Sequence, residues 1–237
     1  MKICVFGAGA IGGYMAGELA LAGHEVCAIA RGAHLAAIRS HGLKLIVEGQ
    51  TRTVNLPASD DPAAFGPQHV VICALKAQQA HASAGAFAPL LGPRTAVLTA
   101  MNGIPWWYFY KERGPLDGHH LESVDPGAAQ WNTIGPERAI GCVVDPACEV
   151  VAPGVIEHRL FKRFTIGEPD GSPRSASWPC AMRWFRPDSM RRSATQSAGT
   201  SGSSSGATSA STRSAHLPSR PSIASPPSPA SAPYATP

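Results

Sequence analysis

Residues 2–12 read Lys2-Ile3-Cys4-Val5-Phe6-Gly7-Ala8-Gly9-Ala10-Ile11-Gly12, an apolar run followed by three glycines spaced as G-x-G-x-x-G. The apolar run predicts a buried β-strand, and residues 11–22 are compatible with a helix. In that context each glycine has its own purpose. Gly7 allows a tight turn, Gly9 lets the backbone approach a pyrophosphate, and Gly12 permits close packing of the strand and the helix. The stretch therefore predicts a dinucleotide site at the N-terminus of a helix, where free N–H groups favour an anion.

Strand-like and helix-like runs alternate along the following sequence, as they do in a parallel sheet with crossover helices. The strand-like runs are residues 25–30, 43–48, 51–56, 69–75, 95–101, 139–144, 150–158 and 163–166. The runs 43–48 and 51–56 flank Gly49-Gln50, so we expect a hairpin inserted before the next parallel strand. An alanine-rich run, 77–91, predicts a helix. The predicted fold class is α/β, with a Rossmann-type, doubly wound and mostly parallel sheet over residues 1–171.

The composition changes after Gly171. Residues 173–237 contain 17 serines and 10 prolines, but one leucine, one isoleucine, no valine, no lysine and no glutamate. Such a segment buries too little apolar surface to offset the entropy of ordering it. We therefore predict a low-complexity, disordered tail over residues 172–237. Two origins stay open, a natural tail or a reading-frame slip, since GC-rich DNA read out of frame encodes Arg, Ser, Pro and Ala without Lys.

An arginine follows the second predicted strand, at the position that selects between the two nicotinamide dinucleotides. In an NAD site an acidic residue about 20 positions after the glycines binds the ribose 2′-hydroxyl. Here Ala30, Arg31 and Gly32 stand in that place. A guanidinium suits a 2′-phosphate, so the expected cofactor is NADP(H). The alternative is that Arg31 is a solvated loop residue.

Two polar residues come directly after buried strands. Lys76 follows the run 69–75, and Asn102 follows the run 95–101. In doubly wound sheets, ligands bind just outside the carboxyl ends of the strands. We therefore expect Lys76 to neutralise a phosphate or hold a substrate carboxylate, and Asn102 to bind the nicotinamide ribose or the substrate. Ordinary exposed loop residues are the alternative at both positions.

Several motifs in order make the sequence similar to a known family. They are the glycine stretch 7–12, Leu75-Lys76-Ala77, Met101-Asn102-Gly103-Ile104 with Pro105-Trp106-Trp107 after it, Gly141-Cys142-Val143-Val144, and Val151-Ala152-Pro153-Gly154-Val155-Ile156. Together they resemble the ketopantoate reductases, also called 2-dehydropantoate 2-reductases, over residues 1–171.

The resemblance implies NADPH-dependent reduction of 2-dehydropantoate, a 2-oxo acid, to (R)-pantoate in the biosynthesis of pantothenate and coenzyme A. It also implies a possible homodimer in the intact family. By motif position, the cofactor-binding residues are Gly7, Ala8, Gly9, Ala10, Ile11, Gly12, Arg31, Lys76, Asn102 and, through its backbone, Ala147. Arg31 is assigned to the 2′-phosphate, and Asn102 to the substrate as well as the cofactor.

The sequence departs from the family in the C-terminal part, which carries the catalytic lysine of family members. Family members carry a catalytic lysine on a C-terminal helical domain that closes over the substrate, whereas the last lysine here is Lys162. No catalytic residue is therefore assigned. We expect a second domain that is lost or frameshifted, with weak or no NADP binding and impaired reduction. Two alternatives stay open: a related NADP-dependent reductase of another 2-oxo or 3-oxo acid, and a non-catalytic NADP-binding remnant.

Composition and spacing argue against several other classes. The net charge is +4, but seven arginines follow residue 172, so no nucleic-acid partner is expected. No stretch has transmembrane length, and the scattered cysteines fit a reduced, cytoplasmic protein. His119-His120 lacks a third ligand at a suitable spacing, so no metal site is expected. The aromatic run 106–110 is expected to pack against the sheet or a partner chain rather than on a ligand.

Overall fold

The computed structural model describes residues 1–171, so the predicted tail over 172–237 lies outside the described residues. The strands are β1 (Lys2–Phe6), β2 (Glu25–Ile29), β3 (Leu43–Val47), β4 (Gln50–Val54), β5 (Ala58–Ser59), β6 (Val70–Cys73), β7 (Ala96–Ala100), β8 (Ala139–Val144), β9 (Ala147–Ala152), β10 (Val155–Leu160) and β11 (Phe164–Gly167). The α-helices are α1 (Ala10–Leu21), α2 (Gly32–His41), α3 (Ala77–Ala82) and α4 (Ala129–Ile134). Short 3₁₀ helices cover Pro62–Ala64, Ala84–Leu90, Pro126–Ala128 and Pro136–Arg138.

Seven strands form the main sheet, in the order β11-β8-β7-β6-β1-β2-β5. All pairs are parallel except β8 with β11. The chain runs outward from β1 in one direction through β2 and β5, and then in the other through β6, β7 and β8. The order therefore reverses between β1 and β6, which is where doubly wound sheets bind ligands. The predicted α/β, mostly parallel Rossmann-type fold is confirmed.

A second sheet of four strands, β4-β3-β10-β9, is where the sequence prediction was wrong. The run 150–158 was expected to be one strand of the nucleotide domain. It is instead split between β9 and β10, which pair antiparallel on either side of Pro153-Gly154. The predicted hairpin is present as β3 and β4, and β10 pairs in parallel with β3. Gly154 has a φ of +74°, the left-handed conformation that glycine adopts without strain.

Helix α1 lies between the two sheets. Its residues are apolar apart from Glu18, which pairs with Arg52 on β4, and Tyr14, Met15, Ala16 and Leu19 are buried. A β-carbon added at Gly13 would lie 3.0 Å from the Ile156 side chain on β10, and one added at Gly17 would lie 2.4 Å from Leu45 on β3. A helix that is apolar on all sides is a buried helix. The glycines of α1 thus allow the second sheet to approach the helix that follows the glycine stretch.

The opposite face of the main sheet is covered by α3, the 3₁₀ helix Ala84–Leu90 and α4. Phe87, Leu90 and Ile134 pack there with Phe6 and Trp106 in one buried cluster. The single helix predicted over 77–91 was wrong, because the chain changes to a 3₁₀ helix at Ala84–Leu90, which contains Pro89. The helix α2, unassigned from the sequence, follows β2 and leads to the second sheet.

Cysteines lie in the core, as the strand pattern predicted. Cys4, Cys27 and Cys73 are buried on adjacent strands, and all five cysteines in the described part of the chain are free thiols. Burial raises the pKa of Cys73 to about 11. Burial, with a smaller contribution from the Asp145 carboxylate, raises the pKa of Cys142 to about 12. These thiols are therefore protonated at neutral pH and are packing groups, not nucleophiles.

Candidate functional site

A cleft of about 780 Å³ lies over the carboxyl ends of β1, β2, β6 and β7. The sequence-predicted residues on its wall are Gly7, Ala8, Gly9, Ala10, Ile11, Arg31, Lys76 and Asn102. Its volume is typical of small-molecule and cofactor sites. The strand order reverses beneath it, so the cleft is in the position that Rossmann-type folds use for ligands.

The three glycines of the stretch have different structural reasons for being glycine. Gly7 has a φ of +98°, and a β-carbon there would lie 2.6 Å from the Leu75 side chain. At Gly12 a β-carbon would lie 2.1 Å from the carbonyl oxygen of Gly7, so Gly12 is required for packing and lies beneath the cleft wall rather than on it. At Gly9 a β-carbon would meet no protein atom within 4 Å, and φ is −72°. The protein itself therefore gives no reason for glycine at position 9.

The start of α1 is open to an anion. Gly9 is the residue before the helix, with no side-chain cap, and the first turn contains no acidic residue. The first N–H groups of an α-helix have no acceptor within the helix. Backbone N–H groups at the positive end of the helix dipole thus face the cleft beside the space above Gly9.

At one end of the cleft, Arg31 precedes α2 directly after β2. Its side chain is exposed, and no ion pair or hydrogen bond joins its guanidinium to any residue among 1–171. His34, one turn further on, also lines the cleft and was missed in the sequence. Its Nδ1 accepts a hydrogen bond from the Gly154 N–H at 3.0 Å, across 120 residues of chain. No local pattern reveals such a contact.

Lys76 stands at the centre of the cleft, between the end of β6 and the start of α3. Its side chain is exposed, and its ammonium has no carboxylate partner within the described residues. Its backbone N–H donates to Oε1 of Gln79 at 3.4 Å, which holds the start of α3. The fold therefore positions the lysine backbone and leaves the ammonium available.

At the other end, Asn102 is bound by the protein itself. Its Nδ2 donates to the Val144 carbonyl oxygen at 2.9 Å, and its Oδ1 accepts from the Val144 N–H at 2.9 Å. The amide thus continues the pairing of β7 with β8 beyond the last backbone bond. An amide group has a second N–H and a second oxygen lone pair, so one donor and one acceptor position remain on Asn102.

Two residues from the sequence analysis lie away from this cleft. Ala147 begins β9, is exposed, and does not line the cleft, whose wall includes its neighbour Pro146. Lys162, the last lysine of the chain, follows β10 and forms an ion pair with Glu48 at the end of β3. Neither side chain meets the residues around Lys76 and Asn102.

Two residues of the aromatic run, Trp106 and Trp107, pack against the sheet as predicted, whereas Tyr108 is exposed. Trp106 is buried edge-on against Trp131, with ring centroids 6.2 Å apart, and Trp107 donates from Nε1 to Thr99 at 3.3 Å. His120 also lies on the Trp131 ring. In the part of the chain that the structure describes, no group of three or more His, Cys, Asp or Glu side chains could hold a metal ion. Among those same residues no helix is long and apolar enough to cross a membrane.

The topology and the position of the cleft define the class, a Rossmann-type α/β domain with a cleft where the strand order reverses. A family model described as "Ketopantoate reductase PanE/ApbA" matches residues 3–171. The chain belongs to the ketopantoate reductase PanE/ApbA family, which confirms the resemblance carried by the motifs.

Individual relatives agree with this assignment. The chain is 51% identical over 172 residues to a 2-dehydropantoate 2-reductase of Mesorhizobium japonicum, covering 72% of this chain and 53% of that protein. It is 31% identical over 141 residues to a 2-dehydropantoate 2-reductase of Pyrococcus horikoshii, covering 57% and 46%. A crystal structure from Ralstonia solanacearum, provisionally named a ketopantoate reductase, superposes with a TM-score of 0.69 at 45% identity, covering 73% and 53%. The chain spans about half the length of the curated relatives it matches.

Proposed function

We propose that residues 1–171 form the NADP-binding domain of an NADPH-dependent 2-dehydropantoate 2-reductase. The observation that carries the proposal is the meeting of the glycine stretch, Arg31, Lys76 and Asn102 on one cleft at the reversal of strand order. Family membership and two relatives named 2-dehydropantoate 2-reductase support the choice of reaction.

The open space above Gly9 indicates that the cleft fits a dinucleotide. Gly7 and Gly12 are glycine because of φ and packing, whereas a side chain at Gly9 would project into empty space above the loop. A glycine without a packing reason is explained by the close approach of a pyrophosphate to the backbone. The open helix start and the cationic Arg31 and Lys76 match the negative charges of NADP(H).

In this proposal each residue has a defined role on the dinucleotide. The backbone of residues 7–11 holds the pyrophosphate, with Gly12 packed beneath them, and Arg31 holds the 2′-phosphate of the adenosine. Lys76 supplies positive charge toward the nicotinamide side and the substrate carboxylate. Asn102 uses its remaining donor and acceptor on the nicotinamide ribose or on the substrate. NADPH, when bound, supplies the hydride that reduces the 2-oxo group.

The proton that completes the reduction has no assigned donor in residues 1–171. A ketone reduced by hydride needs a proton at the developing alkoxide. Lys162 is engaged by Glu48, and no lysine follows it in the sequence. We therefore propose that this chain binds NADPH and turns over 2-dehydropantoate slowly.

Two measurements on the 237-residue chain test these statements separately. Binding is followed by NADPH fluorescence during titration, and turnover by NADPH oxidation in the presence of 2-dehydropantoate, with the Mesorhizobium relative as the reference enzyme. Binding with turnover at least about a hundredfold below the reference is the expected result, since a positioned proton donor contributes about 10²–10⁴-fold. Turnover near the reference would contradict the impairment, and absence of binding at saturating NADPH would contradict the function itself.

The backbone contact of Ala147, the cytoplasmic location and the homodimer stay predictions. Two alternative functions are a reductase of another 2-oxo or 3-oxo acid and a non-catalytic NADP-binding remnant. They are separated from the main proposal by the same binding titration and by turnover assays with other 2-oxo and 3-oxo acids. Turnover of a different 2-oxo acid supports the first, and binding with no turnover of any such acid supports the second.

A further inference from the structure

His34 has one ring nitrogen bonded and the other without a partner. Nδ1 accepts the hydrogen bond from the Gly154 N–H at 3.0 Å. An imidazole nitrogen that accepts carries no proton, so the ring proton of neutral His34 is on Nε2. The bond to Gly154 thereby makes Nε2 a donor, and it fixes the ring by tying the start of α2 to the turn between β9 and β10.

Nε2 of His34 is buried, and the described residues offer it no acceptor. Buried donors in folded proteins almost always have a partner, so an orphaned one calls for an unseen acceptor. The side-chain nitrogens of His24 and Trp106 are orphaned in the same way, but His34 lines the cleft and they do not. Of the three, His34 is therefore the residue whose orphaned donor belongs to the wall of the cleft.

The residues around His34 indicate which part of a ligand its Nε2–H would contact. Arg31 precedes the first turn of α2, His34 lies in that turn, and no side chain caps the helix. The helix N–H groups, the guanidinium and the imidazole N–H are three kinds of donor, and no acidic residue lies in the turn. Phosphate oxygens are strong acceptors that such a group of donors binds well.

We propose that the Nε2–H of His34 donates a hydrogen bond to the 2′-phosphate of NADPH, beside Arg31, and so sets the preference for NADPH over NADH. This inference rests on the proposed NADP-binding function. With Nδ1 accepting from Gly154, the ring offers one directed donor to the phosphate, the Nε2–H. This hydrogen bond adds to those that the Arg31 guanidinium donates.

Two substitutions separate the two nitrogens of the ring. In His34→Asn, the amide oxygen reaches the Nδ1 position and keeps an acceptor for Gly154, while the donor at Nε2 is lost. In His34→Gln, the amide nitrogen reaches the Nε2 position, while the acceptor at Nδ1 is lost. Each variant of the 237-residue chain is titrated with NADPH and with NADH by fluorescence, and its thermal midpoint is measured.

We expect His34→Asn to weaken NADPH binding about tenfold, to leave NADH binding within about twofold, and to keep the midpoint of the wild type. We expect His34→Gln to lower the midpoint and to keep most of the preference for NADPH. On the wild type, the His34 Nε2 proton in ¹⁵N-histidine NMR spectra is expected to shift with NADPH and not with NADH, a readout that does not depend on how the variants fold.

Three results would overturn the inference. If His34→Asn changes neither dinucleotide, or weakens both equally, or if the Nε2 proton responds alike to NADPH and NADH, His34 does not read the 2′-phosphate, although NADP binding stands. If the wild type binds neither dinucleotide, the proposed function fails and this inference fails with it. Arg31→Gln, which removes the other proposed phosphate donor, provides the positive control for a reduced NADPH preference.

Discussion

The polar side chains at the two ends of the cleft differ in whether the protein itself supplies their hydrogen-bond partners. At the Asn102 end, both amide atoms are bonded to the Val144 backbone and hold β8 against β7. At the Arg31 end, the guanidinium has no partner among residues 1–171, and one donor of His34 is buried without an acceptor. Asn102 was predicted from its place after a parallel strand, and Arg31 from the position at which an NAD site carries an acidic residue. Only the hydrogen-bond partners distinguish a residue that supports the cleft from one that is free to bind.

The glycine stretch between the two ends contains a glycine needed for packing and one that meets no protein atom. Substituting the first is expected to have the largest effect on stability. Gly12→Ala would place a β-carbon 2.1 Å from the Gly7 carbonyl oxygen, a backbone atom that cannot move aside. We expect a loss of about 3 kcal/mol or more in the free energy of unfolding, measured by urea denaturation.

Gly9→Ala is the matched control, because its β-carbon meets no protein atom within 4 Å. We expect stability within about 1 kcal/mol of the wild type, since only the capping preference changes, and NADPH binding weakened at least about tenfold. Equal loss of stability in the two variants would show that the stretch has a single, structural purpose.

Asn102→Ala tests whether the far end is built by the fold. The change removes two hydrogen bonds to Val144 at a partly solvated site, so we expect a loss of about 1–2 kcal/mol in the free energy of unfolding. Chemical denaturation of the chain without ligand measures it. An unchanged unfolding midpoint would mean that Asn102 is held in place for a ligand alone.

Arg31→Ala tests the opposite end. Because Arg31 has no partner in the described structure, stability should stay within about 0.5 kcal/mol. NADPH binding should weaken about tenfold or more while NADH binding is kept, as expected for one lost charged hydrogen bond. Titration with both dinucleotides gives the result, and a parallel loss of NADH binding would remove the basis for assigning Arg31 to the 2′-phosphate.

A last effect, absent at neutral pH, concerns the strand that Asn102 holds. Cys142 on β8 has a pKa raised from 9.0 to about 12, so the folded state keeps the thiol proton that the unfolded state loses. The stabilisation is complete below pH 9 and is lost as the pH rises from 9 to 12, by at most about 1.4 kcal/mol per pH unit. Cys142→Ala should flatten the decline of the unfolding free energy between pH 9 and 11, and an unchanged slope would contradict it.

Local sequence patterns predict the main sheet better than they predict the second sheet. The strands β1, β6 and β7 are continuous buried runs with a local signature, so the main sheet and the residues at its edge were predictable. The split of 150–158 depends on a Pro-Gly turn inside an otherwise strand-like run, and local patterns do not tell one strand from two.

Local sequence patterns could not predict the contacts between residues that are distant in the sequence. The site at α2 depends on the bond between His34 and Gly154, which joins residues 120 positions apart. Likewise, Gly13 and Gly17 are small because strands β10 and β3 approach them, and that packing is visible only after both sheets are formed.

The packing of helix α1 bears on the order in which this domain folds. One face of the helix lies against β10, which pairs with the neighbouring β9 and also with β3, more than a hundred residues away. Contacts between distant residues form slowly, because the intervening loop must close first. On a ribosome, the glycine stretch is made before residues near 160, so its helix gains its full packing only after those residues have emerged. An early segment of this domain is thus secured late.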